Sequence, residues 1–353
     1  PNPDQRRGLY SLPNLRDHFN LPYKLEWMQD SLSDIAAARG DLSDLIARLQ
    51  PDLLHSNQFC FGDLPTACPR LVVAHSDIIS WQRWCADPAP PNPTWELFTD
   101  DYHHLVQRGL HGASAIVAPS AFIATSISRD YDLLTARVQT IHNGVSITPR
   151  IGTKEPLTIM VGRLWDKAKN VALVAEAVQQ AQADGGSPLP VIVAGADLSP
   201  DHQYPLYHEG AGIKYLGQLS AAQLYPLFAR ASVYIAASRY EPFGLAVVEA
   251  ALHGCAILAN DISSFREVWG DDAVYFARND ATALRTALSE LLTDPVRAAS
   301  YGARAHLRAL TLYNAERMAA DYYQLYQQLL PPHLWYNEGT NLSYPDAKVP
   351  YRV

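Results

Sequence analysis

The chain has 353 residues and a formal net charge of −8 at neutral pH, from 28 Lys and Arg against 36 Asp and Glu. That length suits roughly two domains, each with its own core, and 48% hydrophobic against 18% charged residues excludes a disordered chain. The acidic balance argues against nucleic acid as the main partner, and without a Lys/Arg cluster a membrane association is not indicated beyond what a small patch assembled in three dimensions would allow.

Along the chain, Pro1 to Arg7 is polar with no apolar core behind it, so no signal peptide is read there. The longest apolar runs, such as Ala231 to Ala237, are far too short to span a bilayer. Cys60, Cys68, Cys85 and Cys255 form no Cys-x-x-Cys pair, which reads as a reduced, cytoplasmic chain. Strands are expected at 52–55, 71–75, 115–118 and 138–142, then at 157–161, 191–194, 213–216, 233–237, 256–259 and 273–276. Their unbroken Val/Ile/Leu/Ala character suits parallel strands covered on both faces. Helices are expected between them, for example at 171–183, 221–231 and 281–292, and this alternation predicts doubly wound α/β domains. The Pro/Gly stretch at 148–153 marks a boundary. It separates a first Rossmann-like domain (1–150) from a second (151–311). A helix at 312–330 is expected to pack back toward the first domain, and 331–353 forms a tail of unassigned role.

Two stretches carry the chemistry. The strand LTIMV runs into Gly162-Arg-Leu-Trp-Asp-Lys-Ala-Lys-Asn170. Arg163 and Lys169 therefore leave the carboxyl end of a strand, where open α/β sheets bind ligands. A guanidinium fork and an ammonium point charge suit a diphosphate; the plainer reading is two cations on a surface loop. The second stretch is Glu241-Pro-Phe-Gly-Leu-Ala-Val-Val-Glu249. Pro242 keeps Glu241 out of a helix, Gly244 lets the backbone turn against a ligand, and a helix follows from Leu245. The unpaired N–H groups of its first turn suit an anion. Glu249, about one turn in, either accepts from vicinal ribose hydroxyls or merely complements the helix dipole. A hydrolase would need two carboxylates about 5–9 Å apart, and the phosphate-type turn between these two fits a nucleotide better. In Asp100-Asp-Tyr-His-His104, Asp100 and His104 share a helix face that could hold a metal, although such charge runs are usually solvated.

Together, SRYEPFGLAVVEA and VGRLWDKAKN resemble the E-x7-E signature and the Gly-Arg-Leu…Lys-Asn loop of retaining glycosyltransferases with the GT-B fold, family 4. IHNGV at 141–145, VAGA at 193–196, YLGQLS at 215–220, PDLLHSN and LVVAHSD extend the resemblance over 51–330. It implies two Rossmann-like domains facing across a cleft. It implies transfer of a hexose from a nucleoside-diphosphate sugar, commonly a UDP-sugar, to a carbohydrate or other hydroxyl acceptor. The anomeric configuration would be retained, with no metal and no further cofactor. By the same resemblance, Glu241 contacts the transferred sugar and Glu249 the ribose. Arg163 and Lys169 hold the diphosphate with the backbone of Phe243, Gly244 and Leu245. Gly162 and Leu216 line the donor site, and His75 faces the donor sugar from the first domain. The family normally begins with a strand and a Gly-rich loop, and no such segment precedes LPYKLEWMQDSL. The first sheet is therefore expected to lack a central strand unless the tail fills its place. Alternatives are a nucleotide-sugar-binding protein with weak or lost catalysis, and a nucleotide-sugar epimerase of the same architecture.

Overall fold

The computed structural model describes residues 8–9, 12, 14–85, 93–185, 189–196 and 212–334, with the backbone alone for 93–96. The tail at 335–353, and with it the expectation that it fills a gap in the first sheet, lies outside the described residues.

All ten expected strands are present and form two separate parallel sheets. The first has the order β1 (Leu54–Ser56), β2 (Arg70–Val73), β3 (Ala115–Ala118) and β4 (Val138–Thr140). Helix α1 (Leu32–Leu49) precedes it, and α2 (Ile78–Cys85), α3 (Pro93–Gly112) and α4 (Ala121–Asp130) lie between or after its strands. Val72, Ala74, Ile116, Ala118 and Val138 face buried residues of α2, α3 and α4. Alternate residues, Leu71, Val73 and Val117, point to the opposite face, as the two-residue strand period requires.

The second sheet uses β5 (Glu155–Val161), β6 (Val191–Ala194), β7 (Ile213–Tyr215), β8 (Ala231–Ala236), β9 (Ala256–Asn260) and β10 (Val274–Phe276). Their spatial order is β10-β9-β8-β5-β6-β7, all parallel. The chain thus winds outward from β5 to one edge and restarts at β8, a doubly wound sheet whose reversal lies between β5 and β8. Helices α6 (Ala221–Arg230), α7 (Leu245–Leu252), α8 (Ser263–Trp269) and α10 (Pro295–Leu312) bury one face; α5 (Val171–Ala183) and α9 (Ala281–Thr293) bury the other.

Helix starts follow local chemistry. Ser120, Asp280, Asp294 and Asn314 each accept an N–H of the first turn that follows them, and Ser220 with Gln223 forms a capping box. Asn314 begins α11 (Ala315–Leu329), which crosses to the first sheet. There Leu325, with Met318, Tyr322, Tyr326 and Leu329, packs on Leu71, Val73, Val117 and Ile141. The linker after β4 is held beside that crossing, where Val145 and Asn314 form a parallel bridge. No helix among the described residues is long and apolar enough to cross a membrane.

Candidate active site

The first loop of the site leaves β5 at Gly162. Gly195, beyond β6, has φ +148°, and a Cβ there would sit 1.6 Å from the Gly162 carbonyl oxygen. Glycine is thus needed for the two strand ends to meet. Asp166 starts a single 3-10 turn, Lys167–Lys169, by accepting the Ala168 N–H at 2.9 Å. The turn ends at Asn170, which takes the left-handed conformation with φ 57°. Its side-chain amide donates to the Ala237 carbonyl at 3.1 Å and to Asn279 at 3.2 Å, and its oxygen accepts from Arg239 Nε at 2.9 Å. Lys169 is thereby fixed to the carboxyl end of β8, and its stem lies over Gly162.

The second loop leaves β8. Glu241 is 9% exposed, and Oε2 accepts from Lys169 Nζ at 2.6 Å and from Ser238 Oγ at 3.0 Å. A buried carboxylate needs such compensation, and a charge-assisted bond supplies it best. Gly244, with φ 91°, is the N-cap of α7. The N–H groups of Phe243, Gly244, Leu245 and Ala246 donate to no group among the described residues. Lys169, Ser238, Glu241, Gly244 and Leu245 line one small recess at the carboxyl ends of β5 and β8, the sheet reversal where such folds bind ligands. The recess therefore offers an ammonium, a carboxylate and a helix start with free donors, a set suited to an anion carrying a polyhydroxyl group.

The remaining expected residues surround this recess less directly. Glu249 is half-buried, its carboxylate has no hydrogen-bond partner among the described residues, and loss of water pushes its pKa up. Tyr234 of β8 lines the same recess as Glu241, and burial pushes its pKa up. Phe243 is buried against Tyr313, ring centroids 5.2 Å apart, while Leu245 is open to solvent. Leu216, half-buried after β7, donates its N–H to Val193 at 2.9 Å. Arg163 is 61% exposed along its side chain, with Nη2 2.6 Å from Asp166 Oδ2 and its guanidinium 5.3 Å from the Trp165 ring centroid. His75 lies two residues beyond β2 and is exposed. Its Nε2 is 2.9 Å from Asn57 Oδ1, and reduced hydration there lowers its pKa.

The two sheets approach each other around these loops. Ala168 and Tyr240, from the second half, are buried in the core of the first. Ser120 Oγ donates to the Pro242 carbonyl at 2.7 Å, and Ser76 Oγ lies 3.2 Å from Tyr240 OH. Glu267 of α8 accepts the N–H groups of Ala121 and Phe122 at 2.6 and 2.8 Å, capping α4 from across the interface. Trp81 of α2 donates its indole N–H to Asp166 Oδ1 at 3.1 Å.

None of Trp81, Asp166, Ser238, Glu267 or Asn170 was singled out from the sequence. Asp166 had a local signal, three residues from Arg163 and two before the N–H it caps. Trp81 and Glu267 had none, since their partners lie 85 and about 146 residues away. Asp100 and His104 are exposed on α3, and among the described residues no group of three or more His, Cys, Asp or Glu is arranged to hold a metal. A roomier groove of about 410 Å³ between α1 and β1 is mainly apolar, and its arginine, Arg70, is engaged by the carbonyls of Leu64, Thr66 and Gly112.

Comparison with known proteins bears on this geometry. The family described as glycosyl transferases group 1 matches residues 155–294, and the one described as glycosyltransferase family 4 matches 3–148. The alpha-maltose-1-phosphate synthase of Mycobacterium tuberculosis is 25% identical over 300 residues, covering 74% of this chain and 73% of that protein. The sucrose-phosphate synthase of Thermosynechococcus elongatus superposes with a TM-score of 0.71 at 19% identity, over 90% of this chain and 86% of that one. An Anabaena protein, HepE, solved with UDP-glucose, gives 0.66 at 16% identity, over 84% and 82%. These structures share the two-sheet GT-B fold with this chain.

Proposed function

The chain belongs to the family 4, group 1 glycosyltransferases, and from that premise we propose that it moves a hexosyl group from a nucleoside-diphosphate sugar to an acceptor hydroxyl with retention at the anomeric carbon. The observation that carries this reading is the 2.6 Å contact between Lys169 and Glu241, beside the free N–H groups at the head of α7. It joins two motifs 72 residues apart at one recess. UDP is the proposed nucleotide, supported by the UDP-glucose complex of the structurally similar Anabaena protein.

In this reading the diphosphate lies on the start of α7, where backbone donors and the helix dipole favour negative charge. Lys169 and Arg163 neutralise the charge that grows on the leaving oxygen as the anomeric bond breaks. Fixed cations do the work that a divalent ion does in other transferases, so the reaction is proposed to run without a metal. Glu241, held by Lys169 and Ser238, accepts hydrogen bonds from the sugar hydroxyls and fixes the ring. Glu249 accepts from the ribose, Leu216 borders the base, and His75 faces the sugar from the other wall. The acceptor oxygen attacks the anomeric carbon on the face the phosphate leaves, and its proton passes to the departing phosphate oxygen. The four unpaired thiols suit a reducing compartment, and the cytoplasm is the proposed location.

The test is a panel of UDP-, GDP- and ADP-sugars with carbohydrate acceptors, following nucleotide release and the anomeric proton of the product by NMR. Acceptor-dependent release with an unchanged anomeric configuration, insensitive to EDTA and abolished in Glu241→Ala, is the expected result. Inversion, a metal requirement, donor isomerisation without acceptor, or saturable binding without turnover would each overturn a named part of the reading.

A further inference from the structure

The Arg163 guanidinium is held by Asp166, a carboxylate that the first half of the molecule also contacts. Asp166 is 4% exposed and spends both oxygens. Oδ1 accepts from Ala168 N–H and from the indole of Trp81, and Oδ2 accepts from Arg163 Nη2. Trp81 belongs to α2, which starts three residues after His75, so this bond crosses between the halves. An indole N–H and a guanidinium N–H only donate, so Trp81 from the first half and Arg163 from the second both give hydrogen bonds to the same Asp166 carboxylate.

We propose that Trp81 and Asp166 are positioning residues that couple approach of the first half to the orientation of Arg163 toward the donor diphosphate. The inference rests on the donor-site reading above. With Trp81 seated, Asp166 is shielded from water, and its attraction for the guanidinium is stronger than it would be in contact with solvent. Arg163 uses one of its five N–H donors on Asp166 and keeps the others for phosphate oxygens. The Trp165 ring, 5.3 Å away, restricts its swing on another side. If the first half withdraws, the indole leaves, water reaches Asp166, and Arg163 loses its fixed direction. A diphosphate is then gripped well only when the halves are together, which limits exposure of the activated sugar to water.

The experiment compares binding of a nucleoside diphosphate with its monophosphate by calorimetry, using the full chain and whichever base binds best. The monophosphate lacks the distal group that Arg163 is proposed to hold. Trp81→Phe keeps the ring and removes the donor. It should lower the diphosphate-to-monophosphate affinity ratio about fivefold, less than the roughly ten- to hundredfold cost of losing a direct hydrogen bond to a charged group because Trp81 acts through Asp166, and leave monophosphate binding unchanged. Trp81→His, which can restore a ring N–H, should recover part of the ratio. Asp166→Asn should lower the same ratio from the other side, so the test survives if Trp81→Phe fails to fold. In an Arg163→Gln background, Trp81→Phe should have no further effect. An unchanged ratio in Trp81→Phe, an equal loss for both nucleotides, or an undiminished effect in Arg163→Gln would overturn the coupling alone. An Arg163→Gln protein that keeps the wild-type ratio would instead overturn the donor-site reading, and the coupling with it.

Discussion

The two halves cover their sheets by different means. The second sheet has six strands and takes both covers from helices of its own half. Among the described residues the first has four, and helices adjacent in sequence cover one face; the other is covered by α11, more than 170 residues downstream of β4. The loops that carry Lys169 and Glu241 therefore rise from a sheet covered by its own helices, while Ala168 and Tyr240 beside them reach into the core of the first half. The wall that carries His75 depends on a distant piece of chain. Chemistry and stability should then fail at different places in the molecule.

The sharpest way to test that division is at the second half's loops. Lys169→Ala leaves Glu241 buried without its cation and removes a charge from the leaving phosphate. Initial-rate measurements should show kcat lower by about 10²–10³-fold, with the unfolding midpoint moved far less than the activity. The converse probe is Leu325→Ala on α11, 5% exposed against the first sheet. A leucine-to-alanine cavity costs about 2–5 kcal/mol. Urea unfolding should show that loss, and calorimetric nucleotide affinity of the folded fraction should be retained. If affinity falls along with stability, the donor site depends on the cover of the first sheet as well as on its own.

A smaller effect is expected for Glu249→Gln. Loss of a charged acceptor for the ribose corresponds to about 1.5–3 kcal/mol, roughly a ten- to hundredfold rise in donor KM at nearly constant kcat. A fall in kcat at constant KM would place Glu249 elsewhere in the reaction. The smallest effect is at the seam. Glu267 has its pKa lowered on balance: burial raises it, and bonds from His142, Ala121 and Phe122 outweigh that. A carboxyl depressed in the folded state contributes stability above its unfolded value, about 4.3, and that contribution disappears as pH falls through the lower folded value. Glu267→Gln should therefore cost about 1 kcal/mol at pH 7, and the gap to wild type should close progressively below about pH 4. A gap that persists at acidic pH would mean that the carboxylate charge does not hold the halves together.

Much of this was readable in the sequence because the relevant signals are local. Short apolar runs bounded by turn residues read as buried strands from their own composition, and all ten appear within about two residues of their expected limits. Pro242 and Gly244 dictate a loop glutamate followed by a helix start through their own backbone limits, and Gly244 does take a positive φ there. Arg163 was legible as a cation at a strand end, whereas its engagement by an Asp166 that Trp81 also contacts was not. A loop cation with no partner and one paired to a buried carboxylate have the same local pattern.

By itself, the sequence determined the strand–helix alternation, the parallel character of both sheets, and the residue types at the two carboxyl ends where a charged ligand can sit. These follow from side-chain period, proline and glycine sterics and strand burial, which act over a few residues. Only the tertiary structure decided which face of the first sheet α11 covers, that Glu267 caps a helix of the other half, and that Trp81 reaches Asp166. Those contacts depend on how two packed bodies meet. A hydrogen bond between residues 85 apart is specified by the shape of both surfaces and leaves no pattern in either stretch of chain.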